Sequence, residues 1–316
     1  AAYPRSCLCR RASRGAGVIL VFGGNGQLGR ELVRTAAERH VALQALTRAD
    51  ADIADAAAVA AALKSSQPDL VVNAAAYTNV DGAESHYADA QHGNELGPGV
   101  LAAACAAAGV AMVHVSTDYV FDGGKDGAYR ESDPIHPINA YGRSKAAGED
   151  AVRGALDRHV ILRTAWLYSA FGRNFVKTVL RLAQTRDELR IVADQHGSPT
   201  SARALAEAIL HIAPRVIAEP RLAATYHFTA NGATTWHGFA ECIVATAAPI
   251  TGRRPRVTPI ATADYPTPAK RPANSRLDCS LFVQTFGLTP RPWREDVEAT
   301  TRALVAAPQL AEHHVA

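Results

Sequence analysis

Hydrophobic residues along the chain fall into two patterns, short unbroken apolar runs and longer stretches with helical spacing. The run from Val18 to Phe22 is apolar and ends in glycines, which indicates a buried parallel strand. Between Gln27 and Arg39, helical spacing places the apolar residues Leu28, Leu32, Val33 and Ala36 on one side, which predicts an amphipathic helix. The chain therefore opens with a strand, a glycine-rich turn and a helix.

The alternation of strands and helices continues along the chain. Further strands are predicted at Val41 to Leu46, Leu70 to Val72, Ala111 to Val115, His159 to Arg163 and Glu188 to Val192. Further helices are predicted at Ala54 to Leu63, Asp81 to Ala108 with a break near Gly97-Pro98-Gly99, Tyr141 to Leu156, and Asn174 to Gln184. Strands that alternate with helices are typical of an α/β fold, so we predict a Rossmann-type doubly wound parallel sheet.

The C-terminal third has a different character because prolines cluster there. We expect fewer helices and longer loops, in a smaller C-terminal substrate-binding lobe against the sheet edge where α/β proteins bind ligands. The predicted Rossmann core covers residues 18–165, and residues 166–305 form mainly the substrate-binding lobe, with some segments returning to the core. Residues 1–17, basic and without an acid, are expected to be a disordered extension, and residues 306–316 a flexible tail.

Composition and charge narrow the function classes. Of the 316 residues, 48% are hydrophobic and 20% are charged, as in a globular protein with a sizeable core. The net charge of +3 is too small to indicate nucleic acid or a membrane surface as a partner. No apolar run reaches the roughly 18 residues of a membrane helix. The five cysteines, among them the closely spaced Cys7 and Cys9, are interpreted as free thiols, which favours the cytoplasm.

Gly23, Gly26 and Gly29 follow the first strand with the spacing G-x-x-G-x-x-G. Between a strand and a helix, such glycines permit a tight turn, a close approach of the backbone to a pyrophosphate, and close packing of the helix. The positive end of the helix dipole then faces the phosphates. The loop therefore predicts a dinucleotide cofactor, and a glycine-rich turn without a ligand is the weaker alternative.

Other residues bear on the choice of cofactor. At the end of the second strand, an acid would favour NADH and an arginine would favour the 2′-phosphate of NADPH, and this chain has Arg48. Asp52 and Ile53 are placed to flank the adenine, although Asp52 could equally be the N-cap of the following helix. The small residues at 74–76 would let the backbone pass under a cofactor, and plain close packing would require the same. The choice between NADPH and NADH stays open.

A candidate catalytic group follows the strand that begins at Ala111. That strand leads into Ser116-Thr117-Asp118, and the next helix begins with Tyr141 and Lys145, which are four residues apart and share one helix face. Ketone reduction needs a proton for the oxygen, which Tyr141 can supply, and a nearby ammonium would lower its pKa from about 10. Thr117 can hydrogen-bond the same oxygen. Tyr-x-x-x-Lys arises by chance, so the prediction depends on the surrounding strand, helix and glycine loop.

Together these stretches resemble the extended short-chain dehydrogenases/reductases and, within that family, the dTDP-4-dehydrorhamnose reductases. The matching stretches are GGNGQLGREL at 23–32, PDLVVNAAAYTNVDGAES at 68–85, VSTDYVFDG at 115–123, NAYGRSKAAGE at 139–149, LRTAWLY at 162–168, NFVKTVLRLA at 174–183, DQHGSPT at 194–200 and RPANSRLD at 271–278. The resemblance extends from Val18 to about Arg302. It implies reduction of the C4 ketone of a dTDP-sugar, dTDP-4-dehydrorhamnose (dTDP-4-dehydro-6-deoxy-L-mannose), to dTDP-L-rhamnose with NADPH or NADH.

The resemblance also implies roles for single residues. The catalytic triad would be Thr117, Tyr141 and Lys145, with Tyr141 as proton donor. With the residues argued above, the expected cofactor contacts are Gly23, Gly26, Gln27, Leu28, Gly29, Arg48, Asp52, Ile53, Ala74, Ala75, Ala76, Tyr77, Thr78, Tyr141 and Lys145. The expected contacts of the sugar nucleotide are Thr117, Asp118, Trp166, Asn174 and Arg271.

Several of these assignments have a plainer alternative. Trp166 would offer a flat apolar wall to a 6-deoxy sugar, although core burial is the default for tryptophan. Arg271 would pair with the substrate diphosphate, although it could be a solvated surface charge. The chain departs from the family pattern at Gly93-Asn94-Glu95 and at Ala165. Some members bind Mg²⁺ through glutamates at a dimer contact, and Glu31 matches one position, so both the metal, which stays unassigned, and a homodimer are left open.

Two other functions also stay open. Another sugar-nucleotide reductase or an epimerase could use the same scaffold, and an epimerase would keep its cofactor bound through turnover. A non-catalytic regulatory subunit, like the beta subunit of methionine adenosyltransferase, shares the scaffold as well. Retention of Thr117, Tyr141 and Lys145 argues against a regulatory subunit.

Overall fold

A computed structural model describes residues 17–306 of the chain. The expected basic extension before Gly17, with Cys7 and Cys9, and the expected tail after Ala306 lie outside the described residues. The strands are β1 (Ile19–Phe22), β2 (Leu43–Leu46), β3 (Leu70–Asn73), β4 (Ala111–Thr117), β5 (His159–Thr164), β6 (Leu167–Tyr168), β7 (Glu188–Val192), β8 (His196–Gly197), β9 (Thr200–Ser201), β10 (Ala224–His227), β11 (Thr234–Thr235) and β12 (Arg256–Ile260).

Six of these strands form one parallel sheet in the order β10-β5-β4-β3-β1-β2. From β1 the chain first builds outward to β2, then returns to the other side of β1 and builds β3, β4 and β5 in the opposite direction. The reversal lies between β1 and β3, where sheets of this kind bind ligands outside the carboxyl ends of their strands. The predicted α/β fold with a Rossmann-type parallel sheet is confirmed.

Helices cover both faces of the sheet. They are α1 (Gln27–Glu38), α2 (Ala56–Ser66), α3 (Gly82–Ser85), α4 (Tyr87–Gln91), α5 (Gly97–Ala108), α6 (Ala140–Ala155), α7 (Phe175–Ala183), α8 (Ala202–Ala218), α9 (Trp236–Thr251), α10 (Ser280–Phe286) and α11 (Trp293–Ala306). Because side chains alternate along a strand, Ile19 and Val21 pack in the core that contains residues of α1 and α8. Leu20 and Phe22 pack in the opposite core, with residues of α2, α5 and α6.

One prediction about helices is wrong. The segment from Asp81 to Ala108 is not broken near Gly97, because α5 begins there directly after a π-helical turn at His92–Leu96. Pro98 lies in the first turn of α5, where a helix tolerates proline, and the break falls at His86 instead. The C-terminal third contains α9, α10 and α11, and most of its clustered prolines fall in the connections between them.

The C-terminal half of the chain builds a further hydrophobic core apart from the sheet. There α7, α9 and α11 pack around Tyr168, Phe239, Ile243, Trp293 and Val297. Other segments of this half, α8, β10 and α10, contribute to the core of the sheet. The division at residue 165 stays a prediction.

Three cysteines lie within the described residues, and Cys105, Cys242 and Cys279 are all free thiols. None of the helices between residues 17 and 306 has both the length and the apolar character that crossing a bilayer requires.

Candidate active site

The glycine loop between β1 and α1 is a tight turn packed against the segment that follows β3. Gly23 has a φ of 90°, and a Cβ atom there would lie 2.6 Å from the backbone nitrogen of Ala75. Glycine is required at this position by both the backbone conformation and the close approach. Gly26 is the N-cap residue of α1, and no side chain caps that helix. The first N–H groups of α1 are therefore available to an anion.

Two adjoining cavities of about 470 Å³ and 590 Å³ lie over the carboxyl ends of the strands. They share Asn25, Gly26 and the alanines at 74–76 as walls, so together they run from the end of β2 to the end of β5. We call them the cofactor cavity and the catalytic cavity. With the uncapped start of α1 where they meet, their joint size and shape fit an extended dinucleotide.

The cofactor cavity is lined by Arg48, Asp52 and Ile53, as the sequence predicts. One Asp52 oxygen accepts a hydrogen bond from the backbone N–H of Ala54 at 3.0 Å, and the other lies 3.0 Å from the Arg48 guanidinium. The hydrogen bond from Ala54 and the charge of Arg48 outweigh burial and hold the pKa of Asp52 below its usual value. The alternative that Asp52 caps α2 is wrong, because Asp55 is the capping residue.

The alanines at 74–76 line both cavities, Tyr77 lines the cofactor cavity and Thr78 the catalytic cavity. Asn94 fixes this segment from the π-helical turn. Its amide nitrogen donates to the backbone oxygen of Tyr77 at 3.0 Å, and its oxygen accepts from the Tyr77 N–H at 2.9 Å. Asn94 is fully buried and also donates to Ser144 on α6. Sequence reasoning noted Asn94 only as part of a departure from the family pattern. It missed this role because the hydrogen-bond partners of Asn94 are remote along the chain.

The catalytic cavity brings together Thr117, Asp118, Tyr141, Lys145 and Trp166. Thr117 ends β4 and donates its hydroxyl hydrogen to Asp118 at 2.9 Å. Burial raises the pKa of Asp118 to about 6, against the hydrogen bonds from Ser275 and Thr117, which lower it. The cavity therefore holds a carboxyl group that titrates near neutrality, directly beside the predicted catalytic threonine.

Tyr141 and Lys145 lie on successive turns of α6, which begins after the capping residue Asn139. Lys145 is only 2% exposed and donates to the backbone oxygen of Val115 at 2.8 Å. Burial lowers the pKa of Lys145 to about 8. Burial and then the Asp118 carboxylate raise the pKa of Tyr141, while its hydrogen-bonding contact with Thr117 opposes them. The predicted lowering of the Tyr141 pKa by Lys145 is therefore wrong for this arrangement, because desolvation dominates.

Trp166 forms one wall of the catalytic cavity and is half-buried. Its backbone has a φ of 48°, a left-handed conformation that a bulky residue adopts only under constraint. Its ring stacks on Trp236 with 3.7 Å between the ring centroids. A Cβ atom at Gly197 would fall inside the volume of the Trp166 ring, so only glycine leaves room for it. Trp236, which sequence reasoning missed, also lines this cavity.

Two predicted substrate contacts are not among the residues that line the cavities. Asn174 caps α7 and donates to the side chain of Gln27 at 2.9 Å, so it ties α7 to the start of α1. Arg271 binds both carboxylate oxygens of Asp81, at 2.9 Å and 2.8 Å. In contrast, Arg173 lines the catalytic cavity without having been predicted. The roles of Asn174 and Arg271 toward a substrate stay predictions.

The remaining predicted cofactor residues lie at the start of α1. Gln27 and Leu28 line the catalytic cavity, and Gly29 follows in the first turn of the helix. Glu31, the residue associated with Mg²⁺, is buried, accepts from Ser169 at 3.0 Å and lies 2.7 Å from Arg34. Among residues 17–306 there is no group of three or more histidines, cysteines or carboxylates arranged to hold a metal ion. Magnesium stays unassigned.

Comparison with known sequences adds to this geometry. The family model for the RmlD substrate binding domain matches residues 17–305. The chain is 45% identical over 291 residues to the dTDP-4-dehydrorhamnose reductase of Sinorhizobium fredii, covering 92% of this chain and 97% of the relative. It is 40% identical over 285 residues to the dTDP-4-dehydrorhamnose reductase of Escherichia coli K12, covering 89% of this chain and 95% of the relative.

Solved structures show the same likeness. The dTDP-4-dehydrorhamnose reductase of Clostridium acetobutylicum superposes with a TM-score of 0.83 at 38% identity, covering 91% of this chain and 99% of that one. The Bacillus anthracis dTDP-4-dehydrorhamnose reductase, in complex with NADP, superposes with a TM-score of 0.83 at 32% identity, covering 90% of this chain and 98% of that one. A UDP-glucose 4-epimerase of Thermus thermophilus superposes with a TM-score of 0.74 at 21% identity, covering 92% of this chain and 100% of that one. This likeness indicates a shared fold alone.

Proposed function

The chain belongs to the family of the RmlD substrate binding domain, and from that premise we propose that it is a dTDP-4-dehydrorhamnose reductase. In this proposal it reduces the C4 ketone of dTDP-4-dehydrorhamnose to dTDP-L-rhamnose with a nicotinamide cofactor. The observation that carries the proposal is the convergence of Thr117, Tyr141 and Lys145 in one cavity that continues into the glycine loop. Relatives that carry this name match nearly the whole chain.

Tyr141 is proposed as the proton donor. A bound reduced nicotinamide supplies the hydride for the C4 carbon. The raised pKa of Tyr141 keeps its hydroxyl protonated before reaction, as a donor must be. Once the proton has passed to the substrate oxygen, the phenolate lies in a buried site where a charge is costly, and the ammonium of Lys145, one helical turn away, stabilises it.

Thr117 is proposed to donate a second hydrogen bond to the ketone oxygen. A threonine hydroxyl has a single hydrogen, and here it is directed at Asp118. For Thr117 to polarise the substrate, Asp118 has to give up that hydrogen bond and accept one from a sugar hydroxyl instead. This exchange gives Asp118 its proposed role as a substrate contact.

The sugar is proposed to pack on the ring of Trp166, whose position is fixed by Trp236 and Gly197. A flat apolar surface suits the methyl-bearing face of a 6-deoxy sugar. Arg271 is proposed to reach the diphosphate of the substrate, which then competes with Asp81 for its guanidinium. Arg–phosphate pairs are commonly bidentate, as the pair with Asp81 is.

NADPH is the proposed cofactor, although NADH would use the same loop. Arg48 is 80% exposed at the mouth of the cofactor cavity, where it can meet a 2′-phosphate. The three free cysteines support a proposed location in the reducing cytoplasm. A homodimer and a role of Mg²⁺ stay predictions.

The direct test uses purified full-length chain with enzymatically prepared dTDP-4-dehydrorhamnose and either NADPH or NADH. We expect stoichiometric oxidation of the nicotinamide and formation of dTDP-L-rhamnose, faster with NADPH. An interconversion of sugars without net consumption of the nicotinamide would instead identify an epimerase. No turnover together with co-purification of a larger enzyme would identify a regulatory subunit, and either result overturns the proposal.

A further inference from the structure

Glu149 continues the line of catalytic side chains along α6. Tyr141, Lys145 and Glu149 are spaced four residues apart, so they lie on one face of the helix on three successive turns. Glu149 is fully buried, like Lys145. A buried carboxylate is costly unless it is paired, and no role in the reaction proposed above accounts for this one.

Arg163 on β5 holds Glu149 in place. Its Nε donates to one carboxylate oxygen at 2.8 Å and its Nη2 to the other at 2.7 Å, a bidentate pair between a helix and the sheet. Arg163 is 1% exposed and lies over the ring of Phe121 at 5.1 Å. Arg153, one turn further along α6, adds a third hydrogen bond at 2.6 Å. Glu149 therefore has a fixed position and a fixed charge.

Lys145 lacks a carboxylate partner of its own. Its ammonium donates to the backbone oxygen of Val115, and within residues 17–306 no acidic side chain lies at ion-pair distance from it. Burial alone favours its neutral form. The carboxylate of Glu149, one turn along the same face, is the group whose charge favours the protonated form.

The other titratable and charged side chains around this face of α6 come from several elements and include both acids and bases. They are Tyr141 and Arg153 on α6, His114 on β4, Asp118 after β4, Arg163 on β5 and His227 on β10. Burial, with neighbouring cations, lowers the pKa of His114 well below its usual value, and burial with Arg163 lowers the pKa of His227 to about 3. Both histidines are therefore neutral at physiological pH. The hydrogen bonds and charge of Arg163 outweigh burial and hold the pKa of Glu149 below its usual value.

We propose that Glu149, anchored by Arg163, is a positioning residue of this active site: it fixes the turn of α6 that presents Lys145 and keeps the ammonium of Lys145 protonated. Its catalytic consequence rests on the function proposed above, because only a reaction that uses charged Lys145 is sensitive to it. The charge state of Lys145 itself can be measured without turnover.

The sign of the effect is fixed by electrostatics. Removing the charge of Glu149 lowers the pKa of Lys145 further below the value of about 8. Lys145 then loses its proton at a lower pH, and activity that depends on the ammonium is lost as the pH rises through that lowered pKa. At acidic pH Lys145 is protonated with or without Glu149, so activity recovers there.

The test is an NMR titration of the full chain labelled with ¹³C at the lysine Cε atoms. The chain has only five lysines, Lys64, Lys125, Lys145, Lys177 and Lys270, and the variant Lys145→Arg assigns the signal of Lys145. Glu149→Gln is expected to lower the titration midpoint of Lys145 by about one pH unit or more. Asp150→Asn removes the neighbouring carboxylate, which is exposed, and should leave the midpoint unchanged. Glu149→Asp should retain most of the effect.

Breaking the pair could prevent folding, because Arg163 would be left buried and unpaired. The double variant Glu149→Gln with Arg163→Met replaces the pair by uncharged side chains, a change that buried ion pairs tolerate better. The Lys145 midpoint should fall in it as well, by less than in Glu149→Gln, because loss of the Arg163 cation opposes loss of the Glu149 carboxylate. An unchanged midpoint in either folded variant overturns the proposal.

A pH profile of turnover separates this proposal from the proposed function. In Glu149→Gln the decline of kcat at alkaline pH should begin at a lower pH, displaced by the same amount as the Lys145 midpoint. The loss of kcat relative to wild type should therefore be about tenfold larger at pH 8.5 than at pH 6.5. A shifted Lys145 titration with an unmoved kcat profile would contradict the catalytic part of the proposal. Absence of turnover in the wild-type chain would contradict the proposed function and leave the titration result intact.

Discussion

The cofactor end and the substrate end of the cleft are built in different ways. The cofactor end is made mostly by the backbone of two short segments rich in glycine and alanine, residues 23–29 and 74–76. The substrate end is made by the side chains of Asp118, Trp166 and Trp236, which come from separate elements and are held by partners remote along the chain. Changes at one end should therefore leave binding at the other end nearly intact.

Tyr141→Phe should give the largest effect. It removes the proposed proton donor while the ring stays in place, so kcat should fall by about 10² to 10⁴. The dissociation constant for NADPH, measured by quenching of protein fluorescence, should change by less than about threefold, because the cofactor loop is untouched. Near-normal turnover in this variant would remove Tyr141 from the mechanism.

Gly23→Ala tests the cofactor end. The new Cβ would collide with the backbone at Ala75 and force a left-handed backbone on alanine, so NADPH should bind about 10- to 100-fold more weakly. Gly109→Ala is the matched control, since Gly109 also has a positive φ of 66° but no atom lies near its missing Cβ. The control should lose only about 1 kcal/mol of stability and bind NADPH normally. Equal losses of binding in both variants would show that backbone strain alone is responsible.

Asp118→Asn tests the substrate end through stability. The pKa of Asp118 is about 6 in the folded chain and near 4 when unfolded, so its ionised form destabilises the fold at neutral pH. The variant should be more stable than wild type at pH 7 by on the order of 2 kcal/mol, and this gain should disappear below about pH 4, where both states are protonated. Thermal unfolding across this pH range measures it. A variant that is less stable at pH 7 would show that Asp118 supports the fold.

Trp166→Leu should give the smallest effect of the four. Loss of the flat wall should raise the KM for the sugar nucleotide by about tenfold and leave the affinity for NADPH unchanged. Steady-state kinetics at saturating NADPH measures the first quantity, and fluorescence titration the second. A parallel loss of NADPH affinity would mean that the two ends of the cleft are coupled.

The same contrast explains what could be predicted from the sequence. The turn at Gly23, the sheet and the pair Tyr141 and Lys145 follow from local spacing, and the structure brings them together as expected. The pairing of Arg271 with Asp81 and the stacking of Trp166 on Trp236 join segments far apart in the chain, so no local pattern indicates them. The Tyr141 pKa was predicted in the wrong direction because burial is a property of the whole fold.

Glu149 combines a position that local spacing gives with a contact that only the fold creates. Its place four residues after Lys145 was visible in the sequence, but a glutamate on a helix is usually solvated. Only its burial against Arg163 distinguishes it from a surface charge.

In the proposed reaction, the reduced nicotinamide supplies a hydride to C4 of the sugar and Tyr141 protonates the oxygen. The most direct measurement uses NADPH that carries deuterium at its transferable position, with dTDP-4-dehydrorhamnose as the second substrate, and locates the label in the product by NMR. We expect dTDP-L-rhamnose with one deuterium at C4. Deuterium at any other carbon, or a product without deuterium, would contradict it.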